Sequence, residues 1–238
     1  MEDVRKEHYK MYLDEDRTHD PKEYFKFVVN LTRERFGNIS GFRVMDIGCA
    51  SGDFLYYLNQ CFPDVRLHGM DMLESLVSTA RLKAPGAHFS IGDINSLTFT
   101  QHETYDLVYM LGGLHSIFDS CDQWTKNLSY LLTEDGVAFV FGIFNPFPYD
   151  VIVKVKKSGS EGEAEAGWNT ISRETIATAF NKHGCRVEFV PWNIPIEIPF
   201  NKNDPLRSWT SLQPDGKTLV TNASRVIHDF YCAIISKT

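Results

Sequence analysis

The sequence predicts an α/β fold with a doubly wound, mostly parallel sheet. Strand-like and helix-like segments alternate from residue 43 onward, and the strand-like segment VAFVFGIF at 137–144 is apolar throughout. Parallel strands are joined by crossover helices and covered on both faces, so alternating elements and fully apolar strands are what such a sheet requires. A chain of 238 residues is long enough to form one well-packed domain.

Each predicted element has a local signal. Strands are predicted at 43–47, 65–71, 88–93, 105–111, 137–144, 185–190 and 225–236, and helices at 21–36, 53–62, 74–84, 121–132 and after Ser172. The helix at 53–62 shows the clearest pattern, because Phe54, Leu55, Leu58 and Phe62 share one stripe before Pro63 ends it.

The ends of the chain differ from its middle. Residues 1–40 are predicted to form a helical cap, and residues 41–238 a ligand-binding domain. Two irregular segments, at about 145–170 and 191–224, interrupt the regular pattern and are rich in aromatic, Pro, Gly or Asn residues. Insertions of this length usually carry a function, and we expect them to cover a site as lids.

Composition excludes several classes of protein. The net charge of −7 disfavours the basic surface that binds DNA or RNA, so no nucleic-acid partner is expected. Five cysteines are widely spaced and eight histidines share no ligand spacing, so no metal site is predicted. The charged N-terminus is unlike a secretory signal, and no apolar run has the length of a membrane span. We expect a cytoplasmic protein without a membrane partner; the oligomeric state is not predicted.

The stretch VMDIGCASGDF at 44–54 is typical of a nucleotide-binding turn. Gly48 and Gly52 suit a loop that a ligand approaches closely, and free amides of the loop are expected to meet anionic groups. The dinucleotide pattern Gly-x-Gly-x-x-Gly is incomplete, because Ala50 and Asp53 occupy its second and third glycine positions. A pyrophosphate would be a poor neighbour for Asp53.

Acidic residues end three successive predicted strands, namely Asp46, Asp71 and Asp93. An acid about 20 residues beyond such a loop accepts hydrogen bonds from ribose hydroxyls, and Asp71 stands near that distance. Asp93 is placed to accept from an exocyclic amine. Ligands of open α/β sheets lie outside the carboxyl ends of the strands, so the three acids are expected to converge on one crevice. The pattern favours an adenosine group that carries no net negative phosphate.

Residues 40–145 resemble the seven-stranded class I S-adenosylmethionine-dependent methyltransferase family in VMDIGCASG, HGMD, SIGDI and LLTEDGVAFVF. The family's last two strands form an antiparallel hairpin, which 185–190 and 225–236 would supply. The resemblance implies an enzyme that methylates a small molecule, at oxygen in preference to nitrogen. Two other interpretations stay open: an NAD-dependent dehydrogenase, and a non-catalytic protein that binds S-adenosylmethionine or a partner.

By this resemblance ten residues would surround the cofactor, S-adenosylmethionine. They lie at successive strand ends: Asp46, Gly48, Cys49 and Gly52 around the methionine part, Asp71 and Met72 at the ribose and adenine, Asp93 and Ile94 at the adenine ring, and Leu111 and Gly112 near the sulfonium.

His115 is the candidate catalytic base or acceptor contact. It follows the strand at 105–111, and if a helix begins there it shares a face with Asp119, four residues on. The alternative is a histidine that only hydrogen-bonds a backbone carbonyl. The Asn/Asp-Pro-Pro-aromatic motif of many amino-group methyltransferases is absent, since LGGL stands in its place.

Four further residues are candidates for the acceptor pocket. Tyr9 and Tyr12, three apart near the N-terminus, would either pack against the sulfonium by cation–π attraction or anchor their segment to the domain. Asn145, in NPFPY, and Trp168 lie in the first irregular segment and would line the pocket.

Overall fold

The computed structural model describes residues 12, 17–96 and 103–238. Its α-helices are α1 (Glu23–Phe36), α2 (Asp53–Cys61), α3 (Glu74–Lys83), α4 (Asp122–Leu131) and α5 (Arg173–Asn181). Its strands are β1 (Arg43–Ile47), β2 (Arg66–Asp71), β3 (His88–Ile91), β4 (Tyr105–Met110), β5 (Leu132–Ile143), β6 (Lys154–Val155), β7 (Glu165–Ala166), β8 (Cys185–Trp192), β9 (Trp209–Leu212), β10 (Thr218–Thr221) and β11 (Phe230–Lys237). A 3-10 helix at Leu114–Ile117 follows β4.

A seven-stranded sheet forms the centre, in the order β3-β2-β1-β4-β5-β11-β8. Strands β3, β2, β1, β4 and β5 are parallel, whereas β11 runs antiparallel to both of its neighbours. The predicted fold class and the antiparallel ending are both confirmed. The strand order reverses between β1 and β4, the position at which open sheets of this kind hold ligands.

Helices cover both faces of the sheet and create two hydrophobic clusters. On one face α1 and α2 pack against Tyr109 and Phe139, and on the other α4 and α5 pack against Val140 and Phe144. The predicted stripe of α2 is buried in full, with Phe54, Leu55, Leu58 and Phe62 at most 6% exposed. Burying each such side chain contributes about 1.5–3 kcal/mol, which is why this stripe fixes the helix to the sheet.

The region 191–224 is more regular than the sequence analysis expected. Strands β9 and β10 form an antiparallel hairpin within it. The turn between them contains Pro214, Asp215 and Gly216, and Gly216 adopts a left-handed φ of 84°. A Pro-Asp-Gly turn between two segments of high β-propensity is a sequence pattern that predicts such a hairpin. The role of this region as a lid, and the boundary of a cap at residue 40, stay predictions.

The helices of the described part of the chain are too short or too polar for any of them to cross a membrane.

Candidate active site

The loops after β1, β2 and β4 open at one edge of the sheet. Ile47, at the end of β1, pairs with Met70 of β2 on one side and with Met110 of β4 on the other. The turn after β1 therefore lies between the turns after β2 and β4. Most of the residues that the sequence analysis selected gather at this edge.

The loop after β1 folds its own amides back onto the end of β2. The N–H groups of Gly48 and Cys49 both donate to the Met70 carbonyl, at 2.7 and 3.0 Å, and the Ala50 N–H donates to Asp71 Oδ2 at 3.0 Å. The expectation that these amides are free for an anion is wrong. Left-handed φ angles at Gly48 (71°), Ala50 (46°) and Gly52 (82°) turn the amides inward, so a phosphate finds no ready cradle here.

Two carboxylates, those of Asp46 and Asp71, lie near this loop and influence each other electrostatically. Asp46 is 2% exposed, and none of the described residues donates a hydrogen bond to its carboxylate. Asp71 accepts from the N–H of Ala50 and of Leu73, both at 3.0 Å. Burial raises the pKa of Asp46 well above its usual value, and the charge of Asp71 raises it further. Such a pair favours a ligand that brings positive charge or hydrogen-bond donors.

The Asp53 carboxylate, which was expected to disfavour a neighbouring pyrophosphate, is paired with a lysine. It pairs with Lys83 Nζ at 2.5 Å and accepts from Ser51 Oγ at 2.8 Å. Both charged side chains are largely shielded from solvent, with 11% and 14% exposed. The pair ties the start of α2 to the end of α3, and Lys83 compensates the charge of Asp53. The case against a pyrophosphate ligand therefore rests on the engaged loop amides and on Asp46 and Asp71.

The turns after β2 and β3 lie side by side, because the Gly92 N–H donates to the Asp71 carbonyl at 3.0 Å. Met72 is 60% exposed at this edge. Asp93 Oδ1 accepts from the Asn95 N–H at 2.8 Å, which closes its turn, and none of the described residues donates to its second carboxylate oxygen. Ile94, by contrast, is 2% exposed and packs in the core, so its side chain contributes mainly to the floor beneath the turn.

Cys49 and Leu111 are buried, whereas Gly112 is exposed. Burial raises the pKa of the Cys49 thiol, so this sulfur is protonated and unreactive at neutral pH. Gly112 has a left-handed φ of 69°. The turn after β4 therefore presents backbone, without a side chain, at the point where β1 and β4 diverge.

Tyr24, which the sequence analysis did not select, lies over this turn. A Cβ atom placed on Gly112 would stand 3.3 Å from the Tyr24 hydroxyl oxygen. The Tyr24 ring stacks on Phe141 of β5, with centroids 5.0 Å apart and planes 6° apart. The available signal was its position four residues before the buried Val28, which places both on the inner face of α1. An aromatic hydroxyl thus reaches the end of β4 from α1.

The two N-terminal tyrosine candidates have no described place at this edge. Tyr9 lies outside the described residues. The ring of Tyr12 lies 5.1 Å beneath the Lys22 ammonium group. That cation–π contact supports the alternative in which Tyr12 anchors its own segment.

His115 is enclosed in the protein. It is 1% exposed, its ring stacks on Phe144 at 4.3 Å, and Nε2 lies 2.9 Å from the Ile143 carbonyl oxygen. Because a carbonyl only accepts, Nε2 carries the proton and Nδ1 holds a lone pair. Burial lowers the pKa of His115 to about 4, which leaves it neutral and weakly basic at pH 7. The geometry matches the alternative in which this histidine bonds a backbone carbonyl.

The expected pairing of His115 and Asp119 on one helical face is wrong. Only the 3-10 helix Leu114–Ile117 forms here, and it ends before Asp119. The Asp119 carboxylate pairs with Lys154 Nζ at 2.5 Å and accepts from Asn169 Nδ2 at 3.2 Å. Asp119 thus binds the first irregular segment and leaves His115 without an acidic partner at that position.

Asn145 and Trp168 hold different places in that segment. The Asn145 side chain donates to the Tyr149 carbonyl at 2.7 Å and accepts from the Phe147 N–H at 3.0 Å, so it closes its own turn. Trp168 is half-buried and has a left-handed φ of 58°. It precedes Asn169, whose N–H donates to the Ser116 carbonyl at 2.9 Å. Trp168 therefore lies beside the turn after β4, whereas the Asn145 amide is committed elsewhere.

Within the described residues, no group of three His, Cys, Asp or Glu side chains is arranged to hold a metal ion.

Comparison with known proteins identifies the central part of this chain. Residues 44–136 match a family described as "Methyltransferase domain". The malonyl-[acyl-carrier protein] O-methyltransferase of Bacillus cereus is 22% identical over 168 residues, which cover 68% of this chain and 59% of that protein. The trans-aconitate 2-methyltransferase of Variovorax paradoxus is 32% identical over 95 residues, which cover 40% of this chain and 36% of that protein. The chain thus spans less than two thirds of the length of either relative.

A solved structure shares the fold over the whole chain. The TehB-like S-adenosylmethionine-dependent methyltransferase of Corynebacterium glutamicum aligns with a TM-score of 0.58 at 16% identity, and the alignment covers 99% of both chains. The matched region, 44–136, contains the loop after β1, both carboxylates and the turn after β4. Residues 44–136 therefore match a methyltransferase-domain family, and the chain shares its fold with a solved S-adenosylmethionine-dependent methyltransferase.

Proposed function

We propose that this protein transfers a methyl group from S-adenosylmethionine to a small-molecule acceptor, at oxygen in preference to nitrogen. One observation carries the proposal: Asp46 and Asp71 lie near the carboxyl ends of β1 and β2, beside the point where the strand order reverses, while the amides of Gly48, Cys49 and Ala50 are already bonded. An adenosine ligand with a positively charged sulfur suits such a site, and a dinucleotide with its pyrophosphate does not. The methyltransferase-domain match over 44–136 and the similarity to a malonyl-[acyl-carrier protein] O-methyltransferase support the same ligand.

The residues of the edge suit the parts of this cofactor. Each Asp71 oxygen accepts one backbone N–H and retains a lone pair for a ribose hydroxyl. Asp46, which has no donor among the described residues, would compensate the positive charge of the methionine part. The exposed Met72 would pack on the adenine. When bound, S-adenosylmethionine supplies a methyl group that its sulfonium makes electrophilic, so the protein's part is to bind, orient and exclude water.

The histidines at this edge favour an acceptor that needs no base. His228 lies next to Asp229, whose carbonyl accepts from the Phe144 N–H at 3.0 Å at the end of β5. Burial lowers the pKa of His228 to about 4, as it does for His115, so neither takes a proton readily at pH 7. A carboxylate is already anionic and needs no deprotonation. Malonyl and aconitate groups, named for the two relatives, both carry carboxylates. We therefore favour a carboxylic acid as acceptor.

Calorimetric titration followed by an acceptor screen tests this function. Wild-type protein is titrated with S-adenosylmethionine, S-adenosylhomocysteine and NAD, and the first two are expected to bind. Methyl-labelled S-adenosylmethionine is then offered with trans-aconitate, malonate, glutarate and phenylacetate, and with phenethylamine as the nitrogen acceptor. Label in an ester supports the proposal and label in the amine supports N-methylation. Cofactor binding without any transfer favours the non-catalytic interpretation, and binding of NAD alone contradicts the proposal.

Tyr24→Phe is expected to weaken binding of S-adenosylmethionine by about 0.5–1 kcal/mol, while affinity for S-adenosylhomocysteine stays unchanged. The Tyr24 hydroxyl, which lies beside Gly112 after β4, would accept weak hydrogen bonds from the polarised C–H groups of a sulfonium methyl, which the product lacks. The Phe ring preserves the stack on Phe141. Titration of both ligands against both proteins measures the difference; equal weakening of both would show that the hydroxyl does not face the methyl group.

A further inference from the structure

A single buried amide joins three parts of the chain beside the turn after β4. Asn169 is fully buried, and its Nδ2 donates to the Phe118 carbonyl at 3.0 Å and to Asp119 Oδ1 at 3.2 Å. Its Oδ1 accepts from the Val153 N–H at 2.8 Å. Its own N–H donates to the Ser116 carbonyl. Asn169 thereby fastens both arms of the segment 151–170 to the turn that follows β4.

The arm that Asn169 holds is fastened on its other side as well. Thr170 and Val151 exchange two backbone hydrogen bonds, at 2.9 and 3.1 Å, and the Asn145 N–H donates to the Ile171 carbonyl at 3.0 Å. The arm thus runs between the turn after β4 and the end of β5. Under the proposed function these two strand ends flank the position of methyl transfer, so a side chain on this arm is well placed to meet the acceptor.

Trp168 stands on this arm in a conformation that a bulky residue rarely adopts. Its φ of 58° lies in the left-handed region, which disfavours any residue with a Cβ atom. The Gly167 N–H donates to the Val153 carbonyl at 3.2 Å and the Asn169 N–H to Ser116, so the neighbours on both sides hold the conformation in place. Strained backbone that its surroundings enforce is concentrated at ligand clamps. A purely structural turn would be more stable with glycine at this position.

We propose that Trp168 is a wall of the acceptor pocket that determines which acceptors enter, and that Asn169 is the positioning residue that sets it. The inference rests on the proposed methyl transfer and extends it to acceptor choice. Asn169 acts through the backbone: its amide fixes the arm relative to the turn after β4, and so fixes the indole relative to the cofactor. The acceptor would present an apolar or planar face to the indole.

Trp168→Gly separates this role from a structural one. Glycine relieves the left-handed strain, so the midpoint of thermal unfolding is expected to stay level or rise and S-adenosylhomocysteine affinity to stay unchanged. KM for the best acid of the acceptor screen is expected to rise about 10- to 100-fold, because the acceptor loses its wall. Arg225→Gly is the matched control, since Arg225 has a similar left-handed φ of 63° in the other irregular segment. Its midpoint of thermal unfolding is likewise expected to stay level or rise, without any change in KM for the acceptor.

Exchanging the amide and the carboxylate tests the positioning role of Asn169. Asn169→Asp removes the donor to Phe118 and Asp119 and brings two carboxylates together, so KM for the acceptor is expected to rise about tenfold with kcat less affected. In the double variant Asn169→Asp/Asp119→Asn the amide at 119 can donate to the carboxylate at 169, which reverses the wild-type hydrogen bond. This double variant is expected to recover part of the increase in KM.

The outcomes are distinguishable. If the wild-type protein methylates an acid and Trp168→Gly leaves its KM unchanged, the acceptor-wall proposal is overturned and the methyltransferase proposal stands. A fall in unfolding temperature that accounts for the loss in Trp168→Gly, or no recovery in the Asp119–Asn169 exchange, likewise overturns it. If S-adenosylmethionine binds but no acceptor is methylated, the proposed function fails, and this inference fails with it.

Discussion

Acidification from pH 7 to pH 4 is expected to remove about 3 kcal/mol of the free energy of unfolding for each of two buried histidines, His115 and His228. Both imidazoles have pKa values lowered to about 4 by burial, against an ordinary value of 6.5. Below pH 6.5 the two imidazoles become protonated in the unfolded chain, whereas in the folded protein they stay neutral until the pH approaches 4. The contribution to stability is therefore complete above pH 6.5 and is lost as the pH falls towards 4.

The buried carboxylates act in the opposite direction. Burial raises the pKa values of Asp46 and Asp71, so their protonation on acidification relieves a cost that the folded protein bears at neutral pH. The histidine effect is therefore isolated by variants. His115→Gln and His228→Gln are each expected to show a shallower loss of stability between pH 6.5 and 4 than the wild type, by about 3 kcal/mol.

Urea unfolding at several pH values between 7 and 4 measures this difference. His19→Gln is a suitable control, because His19 is exposed and its ring does not lie in the core. A His115→Gln protein whose pH dependence equals that of the wild type would show that the His115 ring is accessible to protons, and would reopen its candidacy as a catalytic base.

Asp71→Ala is expected to weaken binding of S-adenosylhomocysteine by about 1–3 kcal/mol, roughly 5- to 150-fold. The variant leaves the ribose hydroxyls without their acceptor. In the wild type the N–H groups of Ala50 and Leu73 donate hydrogen bonds to Asp71. The variant loses both hydrogen bonds, which loosens the loop after β1. Calorimetric titration measures the change in affinity, and thermal unfolding measures the cost to the loop.

Asp71→Asn separates these two effects. The Asn carbonyl oxygen can still accept one N–H, so most of the loop order is expected to survive while one ribose contact is lost. Affinity between those of the wild type and Asp71→Ala is expected. Asp135→Ala, at an exposed position distant in sequence from the site, is the matched control and should bind like the wild type. If Asp71→Ala binds S-adenosylhomocysteine as tightly as the wild type, the ribose does not bind to Asp71.

The sheet was predictable because its signals are local. Apolar runs such as YDLVYM and VAFVFG need no distant partner to be recognised as strands, and the β1 bounds 43–47 agree residue for residue. The position of Asp46 and Asp71 at one edge was also predictable, since parallel strands bring their carboxyl ends together. Spacing along the chain therefore sufficed for the fold and for the acidic pair at the edge.

The direction of hydrogen bonds was not predictable in the same way. The amides of Gly48 and Cys49 turn towards Met70 because the loop takes left-handed φ angles, and small residues permit several loop conformations equally well. The use of Asn145 to close its own turn has the same origin, since an Asn side chain satisfies either a turn or a ligand.

Contacts between distant elements were the least predictable. Tyr24 reaches Gly112 only because α1 packs against Phe141 of β5, and no spacing in the sequence encodes that approach. His115 was selected for its position after β4, but whether it contacts a ligand or the core depends on Phe144 and Ile143, nearly 30 residues further along the chain. The spacing of residues along the chain thus indicates the edge where a site lies, whereas tertiary packing determines which side chains reach that edge.

A crystal structure of the protein with S-adenosylhomocysteine shows directly whether the cofactor binds at this edge of the sheet. We expect the ribose hydroxyls to donate to Asp71, the methionine part to lie beside Asp46, and the sulfur to face Gly112 beneath Tyr24. Electron density for the ligand away from the carboxyl ends of β1, β2 and β4, or a ribose without contact to Asp71, would contradict this expectation.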